Sequence, residues 1–330
     1  MNKDNYTIKE ESFKGEYEYM NSMKQILTEW RRYLNEHSVS PGFYPPQFSE
    51  MIKKLKELAR NNWVFFDTET TGLPERDGSV PNFVQITQLA AIAYNPNGLN
   101  TMPTQVTDGM FNIKIILTDA TQQEIDRQQA LINAGEYEGN VDYSIPGLLK
   151  MNDYYGGANV PRVDQATGAQ MFNEYIQKQK EQSPTGQIVF WAHNSPFDAK
   201  MTNLFYQRGG LSAPNIAVMD SIAIIDNYLK AVLEYILANK EQANAEDKKI
   251  IDKIEATSPR TKKKYLASKL GMLATAFEID SASWHEATAD IGMTMEVLYS
   301  TLQYLQDPNR GGRFAIDNLS PKYRYNRRMT

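Results

Sequence analysis

The chain has 330 residues, of which 41% are hydrophobic and 11% aromatic, and a formal net charge of −5. This composition predicts a globular protein with a packed core and excludes an intrinsically disordered chain. Because the sequence has no cysteine, disulfides, thiolate zinc sites and cysteine nucleophiles are also excluded.

The sequence shows no targeting or membrane segment. The stretch from Met1 to Tyr6 is polar, and no apolar run approaches membrane-spanning length. We therefore expect a soluble, intracellular protein of the cytoplasm. The excess of acidic residues lies in 61–307, whereas 308–330 are basic and interleaved with aromatic residues. An acidic body indicates an enzyme that binds cations rather than a passive nucleic-acid binder.

Residues 1–61 are predicted to form a helical N-terminal appendage. Apolar residues recur at helical spacing over 16–34, and the proline-rich stretch 41–46 ends that pattern. A second amphipathic helix follows, with one apolar face made of Phe48, Met51, Ile52, Leu55 and Leu58. Two interpretations stay open: both apolar faces pack on the main body, as such helices usually do, or they bind a partner.

From Trp63 onward the hydrophobic period changes from that of helices to that of strands. Strands are predicted over 63–67, 84–94 and 111–117, and their short links favour an antiparallel meander. Helices and strands then alternate: a helix near 165–180, a strand over 187–192, a helix over 196–208, a strand over 216–220, a helix over about 221–240, a polar insertion over 241–264 and a helix over about 286–306. This order predicts a mixed α/β sheet with the meander on one side and βα units on the other.

The first chemistry-bearing segment is the end of the strand that starts at Trp63. Side chains alternate along a strand, so Asp67 and Glu69 point to the same side. Two carboxylates this close repel each other unless a cation lies between them, and a divalent metal with oxygen ligands is the simplest solution. The alternative is a solvated strand end followed by a turn.

The second segment, from His193 to Asp198, also follows an apolar strand. Ser195 is a plausible N-cap and Pro196 fits the first helical position, which puts Asp198 at the third. Asp198 would then serve only as the acid of a capping box, and that interpretation stays open beside a functional one.

The third segment lies at the head of the last long helix. Ser283 and Glu286 form another possible capping box. For His285 and Asp290 to face one site, His285 has to lie on the loop or at the cap, and Asp290 one turn inside the helix.

Together these segments resemble the DEDDh branch of the DnaQ-like 3′→5′ exonucleases, which have the ribonuclease H-like fold. The D-x-E motif matches Asp67 to Leu73, the HNxxFD-like motif matches His193 to Asp198, and the H-x-A-x-x-D motif matches His285 to Asp290. Asp220-Ser221 resembles the Asp-Thr pair that the family has between its second and third motifs. The resemblance covers roughly 62–306, with Gln88 where the family often has an acid.

The resemblance implies a ribonuclease H-like mixed sheet, with a three-strand antiparallel meander plus parallel strands, flanked by helices. It also implies two Mg²⁺ ions, for which Mn²⁺ can substitute. Asp67 would bridge both ions, Glu69 and Asp290 would complete the ion that carries the attacking water, and Asp198 would hold the other. His285 would take the proton from that water.

The resemblance further assigns substrate contacts. The turn with Thr70, Gly72 and Leu73 would hold the 3′-terminal nucleotide, with Leu73 wedged against the base. His193 and Asn194 would contact the substrate strand. The alternative for Leu73 is a simple contact in the core.

The leading hypothesis is a 3′→5′ exonuclease on single-stranded DNA that releases nucleoside 5′-monophosphates. An RNA 3′ exonuclease, a proofreading subunit that binds a replication protein through residues 1–61, and a catalytically silent nucleic-acid-binding module are the alternatives. The exonuclease domain is placed at 62–307, with insertions near 95–165 and 228–264. The basic aromatic tail, 308–330, either tracks a single strand or is solvated.

Overall fold

The structure is a computed structural model that describes residues 47–75, 77–157, 159–214, 218–257, 269–280, 286–314 and 316–319. Its six strands are β1 (Asn62–Thr70), β2 (Ile86–Asn95), β3 (Thr104–Ile115), β4 (Arg162–Val163), β5 (Ile188–Ala192) and β6 (Val218–Asp220). They form one sheet in the order β4-β3-β2-β1-β5-β6. β1, β2 and β3 are an antiparallel meander, β5 and β6 run parallel to β1, and β4 runs parallel to β3. The predicted ribonuclease H-like mixed sheet is confirmed.

Helices flank this sheet. They are α1 (Phe48–Leu58), α2 (Asp119–Ala134), α3 (Ile145–Met151), α4 (Gln165–Gln182), α5 (Ser195–Arg208), α6 (Ser221–Ile224), α7 (Lys230–Ala238), α8 (Ala245–Thr257), α9 (Leu270–Ala276) and α10 (Ala287–Gln306). A π-helical turn, Ile225–Leu229, joins α6 to α7. None of the helices in the described part of the chain is both long and apolar enough to cross a bilayer.

Two hydrophobic cores lie on the two faces of the sheet. On one face Trp63 and Phe65 of β1 pack with Trp191 of β5 beneath α1 and α10, with Trp63 and Trp191 ring centres 4.9 Å apart. On the other face Val64 and Phe66 pack beneath α4 and α5. β1 is therefore a central strand buried on both faces, between the antiparallel β2 and the parallel β5, and its C-terminal end is fixed in position.

The second predicted N-terminal helix exists as α1. The predicted apolar face is buried at Met51, Ile52, Leu55 and Leu58, and the Phe48 ring packs 5.4 Å from that of Tyr228. This helix packs on the body, so its apolar face is not available to a partner. The predicted helix over 16–34 lies outside the described residues, and a docking element within 1–61 stays a prediction.

The residues after α10 are tied to α8. Arg310 donates to Glu246 with Nε 2.9 Å from Oε2, and Arg313 forms an ion pair with Asp247. Asp247 is fully buried and also accepts a 2.5 Å hydrogen bond from the Tyr304 hydroxyl. The first two arginines of the predicted tail are therefore engaged by acids of the predicted insertion, whose α8 is an ordered helix. The remaining basic residues of the tail lie outside the described residues.

Candidate active site

The end of β1 extends beyond its neighbour β5. The pairing with β5 stops at Phe65 opposite Trp191, whereas the pairing with β2 continues to Thr70 opposite Ile86. Asp67 and Glu69 lie in this overhanging part, on the face that packs against α10. Each keeps some solvent exposure. The structure thus brings the two carboxylates to one side of the sheet edge, as the strand period predicts.

Asp198 arrives from the opposite face on α5. Its Oδ1 accepts hydrogen bonds from the Thr68 backbone nitrogen at 3.1 Å and from Thr68 Oγ1 at 2.8 Å. Because β5 has already ended, the Thr68 N–H has no strand beside it there, and the carboxylate supplies the acceptor that a buried N–H requires. Asp198 is therefore fixed against the C-terminal end of β1.

The capping-box interpretation of this helix is wrong. The residue before α5 is Asn194, in the left-handed conformation with φ 72° and ψ 47°, so Ser195 and Pro196 are the first two helical residues. Asp198 is then the fourth helical residue, and its bonds to Thr68 hold it to a strand 130 positions away. Asp198 is therefore held by a contact between distant segments and not by a capping box within α5.

The head of α10 delivers Asp290. Glu286 is the N-cap itself, with its carboxylate accepting from the Ala289 N–H at 3.0 Å and from the Thr288 hydroxyl. The Ser283–Glu286 capping box is wrong, because a residue at the N-cap is not at the third helical position. Asp290 lies one turn inside α10, as predicted. His285 lies outside the described residues, so its role as the base stays a prediction.

Three carboxylates meet at this edge. Carboxylate oxygens of Asp67, Glu69 and Asp290 all lie within 4.8 Å of one another, and we call these three residues the carboxylate cluster. Oxygen ligands bind Mg²⁺ or Ca²⁺ at about 2.0–2.6 Å, so two ligands of one ion lie at most about 5 Å apart. The cluster therefore fits one divalent cation. Asp198, the fourth predicted ligand, is not part of this group.

The electrostatics of the site favour the binding of a cation. Burial, followed by the charges of Asp198, Glu69 and Asp290, raises the pKa of Asp67 well above its usual value. Burial and then Asp290 raise the pKa of Glu69 to about 8. Burial raises the pKa of Asp198 to about 7, although its hydrogen bonds from Thr68 act in the opposite direction. A bound cation would favour the charged forms of all these carboxyls.

The turn after β1 is held in place by hydrogen bonds. Thr70 Oγ1 donates to the Gly72 carbonyl at 2.8 Å. The Thr71 backbone pairs with Gln85 at 3.0 Å, and the Gln85 N–H in turn donates to Thr71 Oγ1 at 3.0 Å. These bonds give the turn a defined shape before any ligand is present.

Packing among the described residues does not account for Leu73 or Gly72 of this turn. Leu73 is 73% exposed, so the alternative of a core contact is excluded. A Cβ added at Gly72 would meet Val84 Cγ2 at 3.4 Å, which is an ordinary contact. The fold therefore does not require a glycine there, whereas close approach of a ligand to the backbone would.

His193 and Asn194 link the end of β5 to the start of α6. His193 Nδ1 lies 2.9 Å from Ser221 Oγ, and the Asn194 N–H donates to Asp220 Oδ1 at 3.1 Å. Asp220 also accepts from the Ile222 N–H at 3.0 Å as the N-cap of α6. The Asp220–Ser221 pair thus positions the second motif, and direct contacts of His193 and Asn194 with a substrate stay predictions.

Gln88, which departs from the family pattern, has a role that was not predicted from the sequence. Gln88 lies directly opposite Glu69, and its Nε2 donates to Glu286 Oε1 at 3.1 Å and to Asn112 Oδ1 at 2.9 Å. A glutamate at this position would face the Glu286 carboxylate. The Gln88 amide avoids this repulsion and donates a hydrogen bond to the acid at the N-cap of α10. In the sequence, this contact could have been indicated by the joint presence of Gln88 and Glu286, which are 198 positions apart.

No family model and no curated protein matches the sequence. Three solved structures of similar fold are the zinc-bound form of an E. coli exonuclease I–single-stranded DNA complex, cell-death related nuclease 4, and the nuclease domain of 3′hExo, a DEDDh family member bound to rAMP. All three are nucleases.

The similarity is distant. For the E. coli complex the identity is 14% and the TM-score 0.43, over 75% of this chain and 41% of that one. Nuclease 4 aligns at 13% identity and a TM-score of 0.36, over 73% and 64%. The 3′hExo domain aligns at 13% and 0.33, over 73% and 92%. The chain thus spans about two fifths of the exonuclease I chain. Likeness at this level concerns the fold alone.

Proposed function

We propose that this protein is a metal-dependent 3′→5′ exonuclease that hydrolyses single-stranded DNA and releases nucleoside 5′-monophosphates. The observation that carries the proposal is the carboxylate cluster at the end of the central strand, whose oxygens lie within 4.8 Å of one another. Hard carboxylate ligands favour Mg²⁺ or Mn²⁺, and phosphodiester hydrolysis is one of the reactions that such acidic metal sites support.

The residues present would hold two divalent ions. Asp67, Glu69 and Asp290 would bind one of them, and Asp67 with Asp198 would bind the second. Divalent cations bound there would lower the pKa of a water molecule and neutralise charge that develops on the phosphate. Thr68 contributes by holding Asp198, because its two hydrogen bonds favour the charged carboxylate at the edge of β1.

The proton and the substrate are assigned to residues on either side of the cluster. His285 precedes the N-cap of α10 in the sequence and would take a proton from the attacking water, since the usual pKa of histidine leaves it mostly neutral at pH 7. The fixed turn with Thr70 and Gly72 would hold the 3′-terminal nucleotide, with the exposed Leu73 against its base. His193 and Asn194 would contact the strand on the α5 side.

The test compares the protein with Asp67→Asn and with Asp252→Asn as a matched control on the exposed face of α8. Each is incubated with 3′-exposed single-stranded DNA, duplex DNA and RNA, in Mg²⁺ or Mn²⁺. We expect release of nucleotides from single-stranded DNA by the parent and the control but not by Asp67→Asn. Greater activity on RNA would favour the RNA exonuclease, and no activity of the folded parent on any substrate with either metal would refute the proposal.

A further inference from the structure

A turn beside the sheet presents one aromatic ring to solvent on a fixed backbone. Tyr155 is 65% exposed and lies in the turn that follows α3. The ammonium of Lys114 on β3 donates to two carbonyls of this turn, that of Asp153 at 2.5 Å and that of Gly156 at 2.9 Å. Hydrogen bonds from a charged donor are stronger than neutral ones, so these two bonds restrain the backbone on both sides of Tyr155.

A second cation and a second ring complete this support. Arg162 of β4 donates from Nη2 to the Tyr154 carbonyl at 2.6 Å, and its guanidinium lies 5.1 Å from the centre of the Tyr154 ring. The Tyr154 hydroxyl donates to the Ile115 carbonyl at 2.9 Å, and the ring is buried. Tyr155 meets it edge to face, with 5.1 Å between the ring centres. The exposed Tyr155 ring is therefore supported by the buried Tyr154 ring and by a backbone that hydrogen bonds restrain.

Lys114 is an unusual residue for such a task. It is only 3% exposed, and burial lowers the pKa of its ammonium. A buried cation destabilises a fold unless its hydrogen bonds compensate for lost hydration. The carbonyls of Asp153 and Gly156 provide that compensation, so the turn is held by a buried charge.

The sheet register places this turn beside the carboxylate cluster. Lys114 lies directly opposite Gln88, which lies directly opposite Glu69, so the three side chains form a row on one face. Neighbouring strands are about 4.8 Å apart, so the backbones of Lys114 and Glu69 are about 10 Å apart. Gln88 and Lys114 are themselves buried, so a strand of nucleic acid that ends at the cluster would have to pass outside these two side chains to reach Tyr155.

We propose that Tyr155 is a stacking platform for a base upstream of the nucleotide being removed, with the exposed Arg162 beside it for a phosphate. This inference rests on the proposed function and adds the path of the substrate. Aromatic rings stack on any base, so the platform binds single strands without sequence preference. Because the backbone is already restrained, little conformational freedom is lost when a base stacks on it.

The test uses Tyr155→Ala and Tyr155→Phe, with Tyr143→Ala as the control. Tyr143 is 71% exposed in the short helix before α3, so its removal matches the loss of an exposed tyrosine. Rates with Mg²⁺ are measured on single-stranded DNA from two to ten nucleotides long. Binding of a fluorescent decanucleotide in EDTA is measured by anisotropy, which does not require activity.

We expect Tyr155→Ala to raise the KM for the decanucleotide at least about fivefold and to weaken its binding equally, with the dinucleotide unaffected. Tyr155→Phe and Tyr143→Ala should behave like the parent. If the parent cleaves DNA but Tyr155→Ala matches it at every length, the platform is refuted and the exonuclease stands. If the parent cleaves nothing, the exonuclease fails, and equal anisotropy of the parent and Tyr155→Ala refutes the platform separately. An equal loss on the dinucleotide, or with Tyr143→Ala, also refutes it.

Discussion

Replacement of Thr68 by valine tests how the site controls the charge of Asp198. Valine keeps the β-branched shape on a residue that is 5% exposed, and it removes the hydroxyl that donates to Asp198 Oδ1 at 2.8 Å. The backbone N–H bond at 3.1 Å remains. A hydrogen bond to a charged group contributes about 1.5–3 kcal/mol, so its loss disfavours the charged carboxylate by a factor of about 10 or more.

The pKa of Asp198 gives the direction of the expected effect on Mg²⁺ binding. Burial already raises the pKa of Asp198 to about 7, and the Thr68 bonds oppose that rise, so Thr68→Val raises the pKa further. A proton and a divalent cation compete for the same carboxylate, so we expect the Mg²⁺ concentration for half-maximal rate to increase about tenfold at neutral pH. At alkaline pH the carboxyl is ionised in both proteins, and the difference should shrink.

The assay is a Mg²⁺ titration of the rate of single-stranded DNA degradation at neutral and alkaline pH. The control is Thr301→Val, because Thr301 is fully buried in α10 and its hydroxyl has no hydrogen-bond partner among the described residues. The reasoning is refuted if Thr68→Val titrates like the parent, or if its defect is the same at both pH values.

Three further predictions concern stability. The carboxyls with raised pKa values bind more protons in the folded state, so the metal-free protein should lose stability as pH rises from about 4 to 8, and Mg²⁺ should raise the Tm more at the upper end. Gln88→Glu should lower the urea midpoint by facing Glu286 with a second carboxylate, and Glu286→Gln in the same chain should restore it. Arg313→Met should cost about 3–5 kcal/mol in urea unfolding because it leaves the buried Asp247 carboxylate without a counter-charge, whereas Arg127→Ala, at a pair on the surface, should cost under about 1 kcal/mol.

The strands and the acids could be predicted because their signals are local. The apolar run from Trp63 ends at Asp67 and Glu69, and the alternation of a strand alone puts these two carboxylates on one side. The meander and the parallel strands followed from the order of the elements. Asp290 one turn inside α10 followed from helical spacing.

The parts that could not be predicted depend on contacts between distant segments. α2 lacks an apolar stripe because its buried face includes Thr121 and Gln128, so no helical period is visible in this part of the sequence. Asp198 looked like a capping acid because Ser195 lies three positions before it. Its actual partner, the Thr68 N–H, becomes available only where β5 ends, and that is not visible in the sequence. The hydrogen bonds from Lys114 to the turn that carries Tyr155 likewise join residues about forty positions apart, and no local sequence pattern predicts them.

The most direct test of the central claim follows the products from a single-stranded DNA labelled at its 5′ end. With Mg²⁺ the protein should shorten the strand one nucleotide at a time from the 3′ end, and mass spectrometry should find nucleoside 5′-monophosphates. Asp67→Asn should leave the strand intact. Internal cuts, products with 3′-phosphates, or an undiminished rate with Asp67→Asn would contradict the assignment of the carboxylate cluster as the centre of a 3′→5′ exonuclease.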